Sequence, residues 1–147
     1  MMYGTIRRHV RSVRRRGAAL VEMALILPLI IVMLLICVDF GRFATVHTAV
    51  TNAAREGANF GGLHPFTDNT LPLWKQKVRT AIREEIDGTP GFRGDSLTIS
   101  DPEVLASNER SRVRVEVNYV FRPVILWPIL PNEMKISRTA EMPIIRK

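Results

Sequence analysis

The hydrophobic pattern divides the chain before its composition is weighed. From Ala18 to Val38, 19 of 21 residues are apolar, interrupted only by Glu22 and Pro28. Apolar side chains fill every face of this run, unlike the one-sided stripe of a surface helix. At about 1.5 Å per residue it makes a helix of roughly 30 Å, the thickness of a bilayer's hydrocarbon core. Beyond Val38, the positions Phe40, Phe43, Val46 or His47, Val50, Ala53, Ala54 and Gly57 recur at steps of three and four. That period predicts an amphipathic continuation, stopped at Gly61-Gly62 by a C-terminal glycine cap. A helix from Ala18 to Phe60 would be about 64 Å long, half in lipid and half as the spine of an outer domain. Pro28 is the candidate for a kink in the apolar half, and Gly41 for a bend near the boundary.

Downstream, Pro65, Asp68 and Asn69 mark a loop from Leu63 to Leu71, and Pro72 suits the first position of a helix with Thr70 as a nearby cap. Leu73, Trp74, Val78, Ala81, Ile82 and Ile86 form one face of that helix, which ends before Gly88. Thr89 to Gly94 is a turn-rich connection. Leu97 and Ile99 alternate as a short strand, and Val113, Val115, Val117, Tyr119 and Phe121 alternate with Arg112, Arg114, Glu116 and Asn118 as a longer one. Lys135 to Met142 supplies a third. The expected fold is α+β: a long N-terminal transmembrane and spine helix, a second helix, and a small antiparallel sheet of about three strands. The apolar stretch from Val124 to Pro131 has eight residues and two prolines, too short to span. It is either a loop folded over the sheet or an exposed patch touching lipid headgroups or a partner subunit.

Charge sharpens the division. The formal net charge is +7, yet residues 1–17 carry six arginines and no acid, whereas residues 39–147 carry 15 basic and 13 acidic side chains. The basicity is one terminal cluster, which excludes a uniformly basic nucleic-acid binder. Arg7, Arg8, Arg11, Arg14, Arg15 and Arg16 precede the apolar run directly. The positive-inside bias then places the N-terminus in the cytoplasm and residues 39–147 across the membrane. The implied domains are a basic cytoplasmic leader (1–17), a transmembrane helix (18–38) and an extracytoplasmic α+β domain (39–147). The run exceeds the 7–15 residues usual for a secretory signal, and Asp39-Phe40-Gly41-Arg42-Phe43 offers no small-x-small cleavage site. A retained single-pass anchor is the reading.

The chemistry on offer is sparse. A chain of 147 residues excludes a large multidomain enzyme, and the single cysteine, Cys37, excludes an intrachain disulfide or a multi-cysteine metal site. Asp39-Phe40-Gly41 matches a kinase tripeptide without the other kinase motifs, and Arg93-Gly94-Asp95 matches an adhesion tripeptide of the kind chance supplies in a turn. His9, His47 and His64 are scattered, so no metal centre, cofactor or enzymatic activity is expected. Glu22 is the odd residue, because an ionised carboxylate in lipid is costly. It is either a shallow acid reaching the cytoplasmic interface or an acid paired within the membrane. No basic residue lies between Glu22 and Arg42, so an intramembrane partner would come from another chain or a new terminus.

Arg14-Arg15-Arg16-Gly17-Ala18-Ala19-Leu20-Val21-Glu22-Met23-Ala24-Leu25, followed by Pro28, resembles the N-terminal segment of TadE-like proteins. These belong to the tight-adherence (Flp/Tad) pilus system of bacteria and archaea. Asp39-Phe40-Gly41-Arg42 and then Ala53-Ala54-Arg55-Glu56-Gly57-Ala58 resemble the second half of that signature, so the likeness covers about residues 14–60. Arg138-Thr139-Ala140-Glu141-Met142 resembles the family's closing segment. The resemblance implies a minor pilin-like (pseudopilin) or assembly subunit in the cytoplasmic membrane. Its partners would be lipid, other TadE-like or pilin subunits, and the Tad inner-membrane machinery. It further implies cleavage between Gly17 and Ala18 by a prepilin-type aspartic peptidase. Glu22 would then pair with the new α-amino group of a neighbouring subunit. Met23 departs from processed members, which place Tyr or Phe after the glutamate. The alternative is an uncleaved anchor whose outer domain binds an envelope partner outside any pilus.

Overall fold

The computed structural model describes residues 10–106, 111–125 and 131–145, with side chains from Gly17 onward. The leader residues Arg7, Arg8 and His9, the side chains of Arg11, Arg14, Arg15 and Arg16, and residues 126–130 of the apolar stretch lie outside that description. The chain divides between Val38 and Asp39 into two compact units. Helix α1 spans Val10–Leu63 and α2 Leu71–Asp87; a 3-10 turn at Gly94–Ser96 leads into strand β1, Leu97–Ile99. Strands β2 (Glu103–Leu105), β3 (Arg112–Phe121) and β4 (Met134–Pro143) complete an α+β chain with a four-stranded antiparallel sheet.

In the first unit, α1 runs uninterrupted through Pro28. Among the described residues nothing buries its apolar stretch, and every Leu, Ile and Val side chain of the run is exposed. Such a surface is stable only in an apolar surrounding.

The second unit is organised around β3. Its alternation places Val113, Val115, Val117, Tyr119 and Phe121 on the buried face and sends Arg112 and Arg114 outward. Along one edge β3 pairs with β4 over ten positions, from Arg112 opposite Pro143 to Phe121 opposite Met134. Along its other edge it pairs with two short strands in tandem, β1 opposite 117–119 and β2 opposite 112–114. β2 is the strand that the sequence pattern misses. Glu103-Val104-Leu105 lacks the alternation that Leu97-Thr98-Ile99 shows, and it pairs where β3 extends beyond the end of β1. Lys75 and Arg79 of α2 both reach Asp101, between the two short strands, and hold that connection to the helix.

The core lies between the sheet's inner face and the two helices. From α1 come Val46, Val50, Ala53, Ala54 and Ala58, and from α2 come Trp74, Val78, Ile82 and Ile86. The α2 stripe thus steps by four, which leaves Leu73, expected on this face, 54% exposed. Phe40 is likewise exposed, although its spacing extends the α1 stripe.

The expected glycine cap of α1 is also corrected. The helix continues to Leu63, and among the described glycines only Gly91 has a positive φ, at 79°. Gly61 and Gly62 are small because of what they touch. A Cβ on Gly61 would lie 3.0 Å from Val113, and one on Gly62 would lie 2.8 Å from the Pro143 carbonyl oxygen. The helix end is finished by His64, whose backbone N–H donates to the Phe60 carbonyl (3.1 Å) and whose ring stacks on Phe60 with centroids 4.0 Å apart. Thr70 precedes α2 without capping it through its side chain; its hydroxyl donates instead to the Thr67 carbonyl at 3.1 Å.

Gly57 is the tightest point of the core. A Cβ there would stand 2.4 Å from Cγ1 of Ile82 and 3.5 Å from Cγ1 of Val115, so α1 approaches α2 and β3 at once. Gly57→Ala should destabilise the outer domain by about 1–3 kcal/mol through overpacking. Gly41→Ala, where a Cβ meets nothing within 4 Å, should stabilise it by about 0.5–1 kcal/mol through helix propensity. Thermal unfolding of the detergent-solubilised chain checks both, and equal shifts would remove the packing role of Gly57.

Candidate functional site

The residues singled out by the two-part signature fall into three structural groups. Gly17, Ala18 and Glu22 lie on the apolar part of α1, all exposed on the single chain. Among the described residues Glu22 makes no ion pair, and no Cβ contact accounts for the smallness of Gly17. Cys37 is a free thiol, also exposed. Nothing among the described residues brings these side chains together into one site.

Asp39, Gly41 and Arg42 open the second unit. Asp39 is buried to 7% exposure although it directly follows the apolar run. Its Oδ1 accepts the backbone N–H of Val124 at 2.9 Å, its Oδ2 that of Ile125 at 3.4 Å, and Arg42 Nη1 lies 3.4 Å from Oδ1. One carboxylate therefore satisfies two backbone donors just after β3 and pairs with an arginine one helical turn on. The Arg42 guanidinium also lies 5.6 Å from the Phe121 ring centroid, within cation–π range. Phe43 meets the same ring edge-on, with centroids 5.4 Å apart. Arg42 packs beside Gly91, where a positive φ favours glycine. Gly41 is exposed, and nothing nearby uses its lack of a side chain.

Ala54, Arg55, Glu56, Gly57 and Ala58 form the third group. Ala54, Gly57 and Ala58 are buried and set the close approach of α1 to its neighbours. Arg55 is exposed and Glu56 half-buried, and both line an open groove with Asn52, Asn59, Glu85 and Met142. The closing segment, Arg138 to Met142, lies in β4 and meets the signature helix. Arg138 Nη2 donates to His47 Nε2, Ala140 packs against the core, and Met142 lies over Gly62. The His47–Arg138 pairing is a contact that sequence reasoning did not supply, since 91 positions separate the partners. Its only advance signal is the resemblance of both segments to one family.

The described residues hold no group of three His, Cys, Asp or Glu that could bind a metal ion. The arrangement builds packing and fixed connections: a helix face of small residues, a carboxylate clamp and an arginine over an aromatic ring.

Fold and site together define a class: a single apolar helix that fits a single-pass membrane anchor, continued by a small α+β domain. Within it, residues 17–59 match the family model described as TadE-like protein, consistent with a TadE-like protein of the Tad pilus system. Comparisons with curated proteins and with solved structures gave no match. The matched segment runs from the first residue of the apolar stretch's Gly-Ala boundary to the helix face packed on α2 and β3.

Asp39→Ala leaves two backbone N–H groups and Arg42 without their acceptor, and should cost about 1–3 kcal/mol of outer-domain stability. Glu141→Ala removes exposed pairs with Arg112 and Arg114 and should cost at most about 1 kcal/mol. Urea unfolding in detergent measures both; an Asp39→Ala midpoint as high as that of Glu141→Ala would contradict the clamp.

Proposed function

We propose that this protein is a minor pilin-like (pseudopilin) or membrane assembly subunit of a Tad-type pilus and secretion machine. The apolar helix associates laterally with other such helices, and the outer domain contacts pilus or envelope partners. The observation that carries this reading is the TadE-like match over residues 17–59, on a helix whose apolar faces the chain itself leaves uncovered. The family's structural role in pilus assembly also supports a component that binds rather than catalyses. Glu22 is the assembly residue of the reading: an exposed carboxylate within that uncovered helix, best stabilised by a cation from a neighbouring subunit. The leader arginines set the orientation, with the N-terminus cytoplasmic and residues 39–147 extracytoplasmic.

Processing between Gly17 and Ala18 by a prepilin-type aspartic peptidase would remove all six leader arginines and give Glu22 a partner type, the new α-amino group of an adjacent chain. An uncleaved anchor that serves an envelope partner outside any pilus is the second reading. It is favoured by the continuity of α1 from Val10 through Gly17, since a peptidase must unwind a helical scissile bond, and by Met23 after the glutamate.

Intact mass and N-terminal sequencing of the chain purified from its native membrane separate the two. A mature chain of 130 residues starting at Ala18 is expected from processing, and a chain that keeps residues 1–17 overturns it. Glu22→Ala should reduce co-purification of other TadE-like or pilin subunits by about tenfold or more, the equivalent of about 1.4 kcal/mol. Undiminished association would remove Glu22 from assembly.

A further inference from the structure

The end of the outer domain that carries Asp39 exposes apolar side chains that its own core leaves uncovered. Val124 is 68% and Phe40 69% exposed, whereas Phe121, three residues before Val124, is 2% exposed. The chain therefore turns from the core outward within those three residues. It is held there by the bonds from the Val124 and Ile125 N–H groups to the Asp39 carboxylate. Asp39 is also the residue immediately after Val38, the last of the apolar run. Chain connectivity alone puts that carboxylate, and whatever it binds, within a few ångströms of the point where the chain leaves the hydrocarbon.

Charge points the same way. Arg42, Arg93 and Arg122 line one narrow cleft with Gly91 and Tyr119. Arg42 faces Asp39 and Arg122 faces Glu133 at 2.9 Å, while Arg93 forms no ion pair among the described residues. The Arg93 backbone N–H donates to the Tyr119 hydroxyl at 3.2 Å, which fixes this arginine beside β3. Exposed valine and phenylalanine beside arginines is the composition of a surface lying at the headgroup and acyl boundary.

We propose that this end of the outer domain docks on the bilayer surface. Val124 and Phe40 enter the headgroup and acyl boundary, and Arg93 meets lipid phosphates. The occupant is the membrane to which the chain is already tethered, so the proposal rests on the membrane-span reading. Asp39 is then the clamp that ties the segment after β3 to the bilayer, as well as a stabiliser of the fold.

Depth-dependent fluorescence quenching tests it. Full-length chain carrying Cys37→Ser and one of Val124→Cys, Phe40→Cys, Ile30→Cys or Glu103→Cys is labelled with an environment-sensitive fluorophore. Each variant is reconstituted in vesicles of phosphatidylethanolamine and phosphatidylglycerol that include brominated lipid. Glu103 is exposed and pairs with the Arg112 end of β3, opposite the Phe121 end, which makes it the distal control. Bromines near the glycerol backbone are expected to quench the Val124 and Phe40 labels at least twofold more than the Glu103 label. Bromines deep in the chains should quench the Ile30 label. Adding Asp39→Asn should cut the Val124 quenching by at least half. If Ile30 is quenched and Val124 matches Glu103, the span stands and the docking is overturned. If Ile30 is also unquenched, the membrane-span reading falls with it. A Val124 label shielded from aqueous iodide yet untouched by brominated lipid signals contact with another chain, which also overturns the proposal.

Discussion

The outer domain depends on how closely α1 can approach two neighbours at once. At Gly57 the helix touches both Ile82 of α2 and Val115 of β3, and at Gly61 it touches both Val113 and Trp74. Buried Ala53, Ala54 and Ala58 fill the positions around these glycines. A helix face of glycine and alanine contributes little apolar area of its own. It lets Ile82, Trp74, Val113 and Val115 come close to the helix backbone, so the burial comes from the partners' side chains. Substituting larger residues along this stripe would push α2 and the sheet apart together, because the same few positions of α1 separate them.

That constraint explains why one helix carries two unrelated surfaces. Up to Val38 its side chains are large and apolar on all sides and remain uncovered. From Asp39 onward, Val46, Val50, Ala53, Ala54 and Ala58 are buried while Ala44, Thr45, Thr48 and Asn52 are exposed. Thr45, Thr48 and Thr51 each donate a hydroxyl proton to the carbonyl four residues earlier. Their polar groups are thereby satisfied without leaving the helix. Asp39 marks the change of surface with a buried carboxylate, and Phe40 after it is still exposed. The carboxylate's acceptors are spent on the Val124 and Ile125 amides, so the boundary of the apolar run is also the point where the segment after β3 is secured.

Much of the architecture was legible because its signals are periodic. The apolar run, the α2 face at Trp74, Val78, Ile82 and Ile86, and the alternation of β3 each repeat often enough to stand above noise. The misses are local. β2 lacks the alternation that β1 shows, and it pairs where β3 extends beyond the end of β1. Gly61-Gly62 has the composition of a helix stop, but Val113 and Pro143 are what demand glycine there, and those contacts are invisible without the fold. The site divides in the same way. The resemblance singled out Asp39, Arg42 and Gly57 but gave no reason for them. The amides of Val124 and Ile125, the Phe121 ring and the Ile82 side chain supply it, and each lies 25 or more positions away in sequence.

The exposed edge of the sheet bears on contact with another chain. β4 is ten residues long, and among the described strands it pairs only with β3. An edge of that length invites pairing with another chain. Here it carries Lys135, Arg138 and Glu141 and closes on Pro143, residues that disfavour strand addition at an edge. Arg138 is turned to His47 and Glu141 to Arg114, so the charges are held by the domain's own contacts. The sheet's outward face, with Arg112, Arg114, Lys135 and Glu141, is equally polar. An outer domain with a charged sheet edge and a charged sheet face has little apolar surface there to offer a neighbour. Among the described residues the large apolar surface left open is the helix before Asp39, and in the proposed assembly lipid and other helices would compete for its side chains. In lipid that competition is decided by packing and by polar groups rather than by hydrophobicity, which is why one acid among 21 residues carries the assembly proposal.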